Sequence, residues 1–279
     1  MTLPTTSTQR RQAFTRRGLG AVLAGAAGLM LLLSGPTAAS AKPLRVGTSG
    51  GPVADIMNFA AQHAKTKDLD VQVVEFSDWV TPNEALANGE IDTNLFQHIP
   101  FLNAAIKARG YALTPIAPTY VMPVGLFSNK VASFDQVPKN ATVAIANDPV
   151  NGARGLQLLQ KAGLISLKPG VGDAATVLDI VSNPKDLRFR ELEAPQLPRS
   201  LDDVELAQVS ISYLLLSGGN PEKALIADGF GDPHYALQFV TRTDRKDDPQ
   251  IAKFIAIFRS PEVKDYIAKR YGKFFVPVW

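Results

Sequence analysis

The chain contains no cysteine. Disulfides, thiolate metal sites and thiol nucleophiles are thereby excluded, and so is a lipid-bearing cysteine at a processing junction. Histidine is scarce as well. His63, His98 and His234 lie far apart and none sits in an H-E-x-x-H arrangement, so zinc hydrolysis has no support. Neither G-x-G-x-x-G nor G-x-x-x-x-G-K-[ST] occurs, and no repeat of solenoid type is visible. Excess charge is missing too. The chain carries 29 basic and 26 acidic residues, without a basic tail or a recognisable nucleic-acid module. No nucleic-acid partner is expected.

What is present begins with an export signal. Arg10, Arg11, Arg16 and Arg17 precede any acid; an apolar run, "GLGAVLAGAAGLMLLLSG", follows; Ala39 and Ala41 then form an A-x-A site ahead of Lys42. The run is short for a membrane span. Cleavage near Ala41 would leave an exported or periplasmic protein with no lipid anchor, and the arginine pairs make twin-arginine export one of two open routes. Residues 42–279 carry 25 basic against 26 acidic residues, so the high pI partly belongs to the signal. Their length suffices to bury a core without disulfides.

After the signal, strand-like and helix-like segments alternate. "LRVGTSGG" (44–51) reads as a strand ending in glycines, 53–67 as a helix with Val53, Ile56, Met57 and Ala60 on one face, 69–76 as a strand, and 81–92 as a helix opened by Pro82 and closed by Gly89. A proline-interrupted apolar stretch follows at 114–128. A second series has a strand at 141–148, helices at 153–164 and 175–184, a strand at 187–192, a strand-then-helix at 204–218 and a strand at 234–242; helices end the chain from Pro249 and Pro261. The β-α-β-α-β order predicts α/β units with mainly parallel sheets. The boundaries expected are 42–124 with 240–279 for one lobe and 125–239 for the other, with a small-ligand cleft between them.

Several residues stand out against this frame. "DTNLFQHIPFL" (92–102) places aromatics around His98, which reads either as a structural hydrogen-bonded imidazole or as a ligand donor. Arg154 opens an apolar-faced helix near Asn147, Asp148 and Asn151. Asp148 can cap that helix. Arg154 can hold a ligand carboxylate through parallel hydrogen bonds, or simply pair with Asp148 or another loop acid. "GTSGGP" (47–52) is a tight turn or a pocket edge offering backbone N–H groups. Glu191 and Glu193 read as exposed carboxylates on one strand face. No Ser/His/Asp triad, nucleophile or general base is convincing.

Three long stretches, "VEFSDWVTPNEALANGEIDTNLFQHIPFL", "VAIANDPVNGARGLQLLQKAGLISLK" and "NPKDLRFRELEAPQLPRSLDDVELA", resemble the NlpA/MetQ lipoprotein family in the same order. The resemblance runs from about Leu44 to Trp279. It implies a two-lobe periplasmic-binding-protein fold, type II-like, with methionine bound between α/β lobes and delivered to an ABC permease in the inner membrane, without enzymatic activity or cofactor. It further implies ligand contacts from Trp79, Phe96, His98 and Phe101 in one lobe and from Asn151, Arg154 and Ser212 in the other, with Asn147 and Tyr213 nearby. Arg154 would take the carboxylate and Asn151 steady it, while the aromatics enclose the thioether.

The chain departs from the family pattern in four places. "SISY" (210–213) stands where Asn-Gly-Asn-Tyr is usual, so a hydroxyl at Ser212 replaces an amide. Trp79 and Phe101 replace tyrosines. "TYVMPVG" replaces a stretch with histidine and glutamate, and the lipid-bearing cysteine is missing. The expected ligand is accordingly methionine or a related small amino acid or sulfur compound. A sensor or scavenger without a permease is the alternative.

Overall fold

The computed structural model describes residues 42–228 and 233–279. The export-signal segment, 1–41, lies outside the described residues. The chain first lays down β1 (Leu44–Ser49), α1 (Pro52–Lys65), β2 (Val71–Phe76), α2 (Thr81–Ala87), β3 (Thr93–His98), α3 (Ile99–Arg109) and β4 (Leu113–Val121). β1 pairs in parallel with β2 and with β3. All six residues of β3 are buried, as suits a strand covered on both faces. The amphipathic face read in the sequence holds: Val53, Ile56, Met57 and Ala60 of α1 are buried.

A second sheet follows. It is built from β5 (Val124–Phe127), β6 (Thr142–Ala146), α4 (Pro149–Lys161), β7 (Ser166–Leu167), β8 (Ile180–Ser182), β9 (Arg188–Leu192), α5 (Leu197–Ser200), β10 (Leu206–Ser210), α6 (Ile211–Leu216) and β11 (Ile226–Ala227), with β7 and β8 forming a separate hairpin. The chain then returns to the first sheet through β12 (Ala236–Arg242) and ends with α7 (Pro249–Phe258), α8 (Pro261–Tyr271) and β13 (Val276–Pro277). The strand orders are β13-β4-β12-β3-β1-β2 and β11-β5-β10-β6-β9. The chain therefore leaves the first sheet over Met122–Pro123 and re-enters it at Ala236, four residues before the position the sequence suggests.

Both sheets are more mixed than a plain β-α-β alternation predicts. β12 lies antiparallel between β3 and β4, and β5 lies antiparallel to β10. The two crossings impose this, because each reverses the chain direction as it changes sheets. Pro115 and Pro118 supply no N–H to the β4–β12 ladder, whose register shifts twice along its length. The helix expected over 175–184 is instead one 3-10 turn, Val177–Asp179, followed by β8. Thr176 and Asp179 cap each other across that single turn, and the β-branched pair Ile180–Val181 continues into the hairpin with β7.

Cores form on both sheets. Phe239, Phe254 and Phe258 meet edge to face beneath the first, with centroids 5.0–6.4 Å apart. Leu156 and Leu159 of α4 pack with Val143, Ile145 and Leu206 beneath the second. What positions the cleft is the close approach of α4 to β6 and β10. A Cβ on Gly152 would lie 2.8 Å from the Ala146 carbonyl oxygen, and one on Gly155 would overlap the Gln208 side chain. Gln208 is pinned there, since its amide donates to the Asn151 carbonyl (2.7 Å) and its oxygen accepts from Ala146 N–H (3.0 Å).

Gly152→Ala is therefore expected to destabilise the fold by about 1–3 kcal/mol, because the methyl meets backbone that cannot turn aside. Urea unfolding midpoints of the variant and the parent protein measure it.

Candidate functional site

The stretch 92–102 resolves into a strand-to-helix corner. Phe96 and His98, two residues apart on β3, share a face. Pro100 sits in the first turn of α3, and His98 is its N-cap, with Nδ1 accepting the Phe101 N–H at 3.3 Å. An imidazole thus occupies the place where serine or aspartate is usual. The corner also brings Phe101 edge-on to Phe96, at 5.9 Å between centroids, and to Trp79, at 6.3 Å.

The facing wall comes from the first turns of α4. Asp148 is the N-cap, accepting from Asn151 N–H at 2.9 Å, and both of its oxygens also accept from the Asn151 side-chain amide at 3.1 Å. Asn151 and Arg154, three residues apart, project from one side of the helix. The two walls touch directly: with Nδ1 acting as acceptor, His98 carries its proton on Nε2 and donates to Asn151 Oδ1 at 3.4 Å. Burial, together with the neighbouring Arg154 charge, pushes the His98 pKa down to about 3.

Between the walls lies a narrow cleft whose free volume is about 20 Å³. That is room for little more than one water, so the two walls stand nearly closed on each other. Six of the expected contact residues line it: Trp79, Phe96, His98, Phe101, Asn151 and Arg154. Two do not. Ser212 is turned into the protein, its Oγ 3.1 Å from that of Ser210, and Ser210 is the serine that reaches the cleft. Tyr213 backs the wall, its ring 5.2 Å from Trp79. Asn147 lies in an outer depression beside Asp148 and Glu193. Gln97, Met122, Val124 and Leu237 complete the lining. The strand period does not single out Gln97, and the other three are apolar residues that the sequence gives no reason to separate from core.

The Arg154 guanidinium, buried at 3 % exposure, has an acid partner, and it is not Asp148. Nε donates to Asp228 Oδ2 at 2.6 Å and Nη2 to Asp228 Oδ1 at 2.8 Å, while Nη2 also meets the Met122 carbonyl at 3.3 Å. Tyr235 lies against the guanidinium face, 4.0 Å from carbon to ring centroid. Nη1 has no hydrogen-bond partner among the described residues. Asp228 and Tyr235 are 74 and 81 positions from Arg154, and no local spacing in the sequence links them.

The chemistry available is binding. The cleft combines one guanidinium with aromatic and aliphatic walls, and its imidazole is held neutral. Gly47–Gly51 does spell G-x-S-x-G at a strand-to-helix junction. No histidine or carboxylate hydrogen-bonds Ser49 among the described residues, however, so no triad is assembled there. Gly51, at φ 75°, makes the tight turn before α1 and packs against Leu216 of α6 rather than edging the cleft. Glu191 and Glu193 are exposed.

The family model for NlpA lipoprotein matches residues 44–279, all but the signal segment and two residues. This chain belongs to the NlpA lipoprotein family. It is 42% identical over 270 residues to the D-methionine-binding lipoprotein MetQ of Escherichia coli K12, covering 96% of this chain and 100% of that one. A nutrient-binding protein from Burkholderia cenocepacia, solved bound to methionine, superposes with a TM-score of 0.82 at 40% identity, covering 85% of this chain and 100% of that one. A periplasmic substrate-binding protein of an ABC transporter from Coxiella burnetii superposes with a TM-score of 0.80 at 43% identity, covering 84% and 99%. The two-lobe α/β fold of the family is thus the fold of this chain.

His98 sets a pH dependence whose sign is fixed by the direction of its shift. The folded protein resists protonation down to about pH 3, whereas the unfolded chain takes up the proton near 6.5. Its contribution is complete above pH 6.5 and is lost as pH falls toward 3, at up to about 1.4 kcal/mol per pH unit. Urea unfolding at pH 7 and pH 5 is expected to show a smaller loss for His98→Gln than for the parent.

Proposed function

We propose that this protein is the exported solute-binding component of an ABC importer, that it closes on methionine or a close analogue, and that it delivers the ligand to a membrane permease. One observation carries the reading: a buried arginine with an uncommitted nitrogen borders an aromatic-walled cleft in a chain 42% identical to a D-methionine-binding lipoprotein. The ligand carboxylate binds Arg154 Nη1. Trp79, Phe96 and Phe101 enclose an unbranched apolar or thioether side chain, which gains from contact with ring edges. The Asn151 amide, already engaged by Asp148 and His98, braces this arrangement rather than grasping the carboxylate alone.

The lobes divide between β4 and β5 and between β11 and β12, and the ligand is held where His98 meets Asn151. The protein is a carrier and not an enzyme: the cleft holds its groups in place and activates none of them. Export proceeds with removal of the signal near Ala41, by the general or the twin-arginine route. The relatives are lipoproteins by name, whereas the sequence here offers no thiol for an acyl chain, so the protein reaches its permease without that tether.

Native mass spectrometry of the purified protein tests the ligand directly, with one methionine per chain expected. Arg154→Ala should weaken methionine binding by about a hundredfold, as loss of a charge-assisted bond in a dry cleft does; unchanged affinity by calorimetry would remove the carboxylate role. Ser212→Asn separates two accounts of the "SISY" departure. With Ser212 turned away from the cleft, the larger amide is expected to lower stability and leave the ranking of amino-acid ligands unchanged, and a shift of that ranking toward methionine would show that position 212 reaches the ligand.

A further inference from the structure

Arg154 is tied to both crossings between the sheets. On the outgoing one it donates to the Met122 carbonyl; at the start of the return it is held by Asp228. Asp228 is itself anchored to the outgoing crossing, because its Oδ1 accepts the Val124 N–H at 3.0 Å. At the end of the return, Tyr235 covers the guanidinium face, and its hydroxyl donates to Asp173 Oδ1 at 2.7 Å. The guanidinium is thus fixed in its plane by a carboxylate and against rotation out of that plane by a ring, and each of these partners is fixed by a further bond.

We propose that Asp228 and Tyr235 are positioning residues for ligand binding: they orient Arg154 so that Nη1 meets the ligand carboxylate. The inference rests on the carboxylate-binding reading of Arg154 given above. The opposite role for Asp228 is an internal competitor that occupies the arginine until the ligand displaces it. The Val124 N–H argues against displacement, because an Asp228 carboxylate that swung away would leave a backbone donor unpaired as well as the arginine edge. The ion pair is also too well buried, at 4 % and 20 % side-chain exposure, for water to replace it readily. A ligand therefore adds to the clasp and does not exchange with it.

The test is calorimetric titration of L- and D-methionine into the parent protein, Arg154→Ala, Asp228→Asn, Tyr235→Leu and the double variant Arg154→Ala/Asp228→Asn, each checked for folding by circular dichroism and thermal melting. Asp228→Asn and Tyr235→Leu are expected to lose about tenfold or more in affinity for whichever enantiomer the parent binds. In the Arg154→Ala background, Asp228→Asn is expected to cause no further loss, a non-additivity that a merely structural role would not give. Parent-like or tighter binding by Asp228→Asn and Tyr235→Leu, alongside lost binding by Arg154→Ala, would overturn the positioning role and leave the carboxylate reading intact. Parent-like binding by Arg154→Ala, or no binding of either enantiomer by the parent, would overturn the carboxylate reading and the inference with it. Should Asp228→Asn fail to fold, Tyr235→Leu decides alone, because it removes the ring without unpairing a charge.

Discussion

The Arg154–Asp228 ion pair is the constraint around which the site is arranged. A guanidinium buried to this degree cannot remain unpaired, and the fold meets that need with an acid 74 residues away, immediately after β11. Everything near the cleft follows from holding that pair in place. The glycines of α4 let the helix sit close enough to Gln208 and Ala146 for its first turn to be rigid. The Asp148 cap fixes Asn151, whose Oδ1 accepts a hydrogen bond from His98, which in turn caps α3 and sets Phe101. A chain of hydrogen bonds thus connects the start of one helix to the start of the helix facing it, and the same chain sets Phe101 in the aromatic wall.

The architecture was largely legible because its signals are local. Helix starts were marked by Pro82, Pro249 and Pro261, and the apolar face of α1 by its period, whereas α4 begins at Pro149, four residues before the start its apolar spacing suggests. Two kinds of feature were not. The direction of β12 depends on where the chain re-enters the first sheet, which no window of residues encodes. The segment 175–184 has a helix-like composition, but the mutual cap of Thr176 and Asp179 closes after one turn and a distant strand, β7, takes the rest.

The site was legible only in part, for the same physical reason. Trp79, Phe96, His98, Phe101, Asn151 and Arg154 could be carried over from a family pattern because each sits at a recognisable strand end or helix start. Asp228 and Tyr235 lie next to glycines and a proline that read only as a turn, and their meaning arises only from their contact with Arg154, 74 and 81 positions away. Ser210 and Ser212 differ by two positions, yet a change from strand to helix falls between them, at Ile211. Beyond that point the alternation that would put both on one face no longer holds, so one hydroxyl reaches the cleft and the other supports it from behind.

The neutral imidazole of His98 has a consequence for life outside the cytoplasm. A compartment that equilibrates with the surroundings takes on their acidity, and a clamp built on a histidine of ordinary basicity would charge, repel the nearby arginine and let go whenever the medium soured. Here the proton is refused until conditions far more acidic than most habitats offer. In the carrier role proposed above, the acidity of the medium therefore gives His98 no signal to let go.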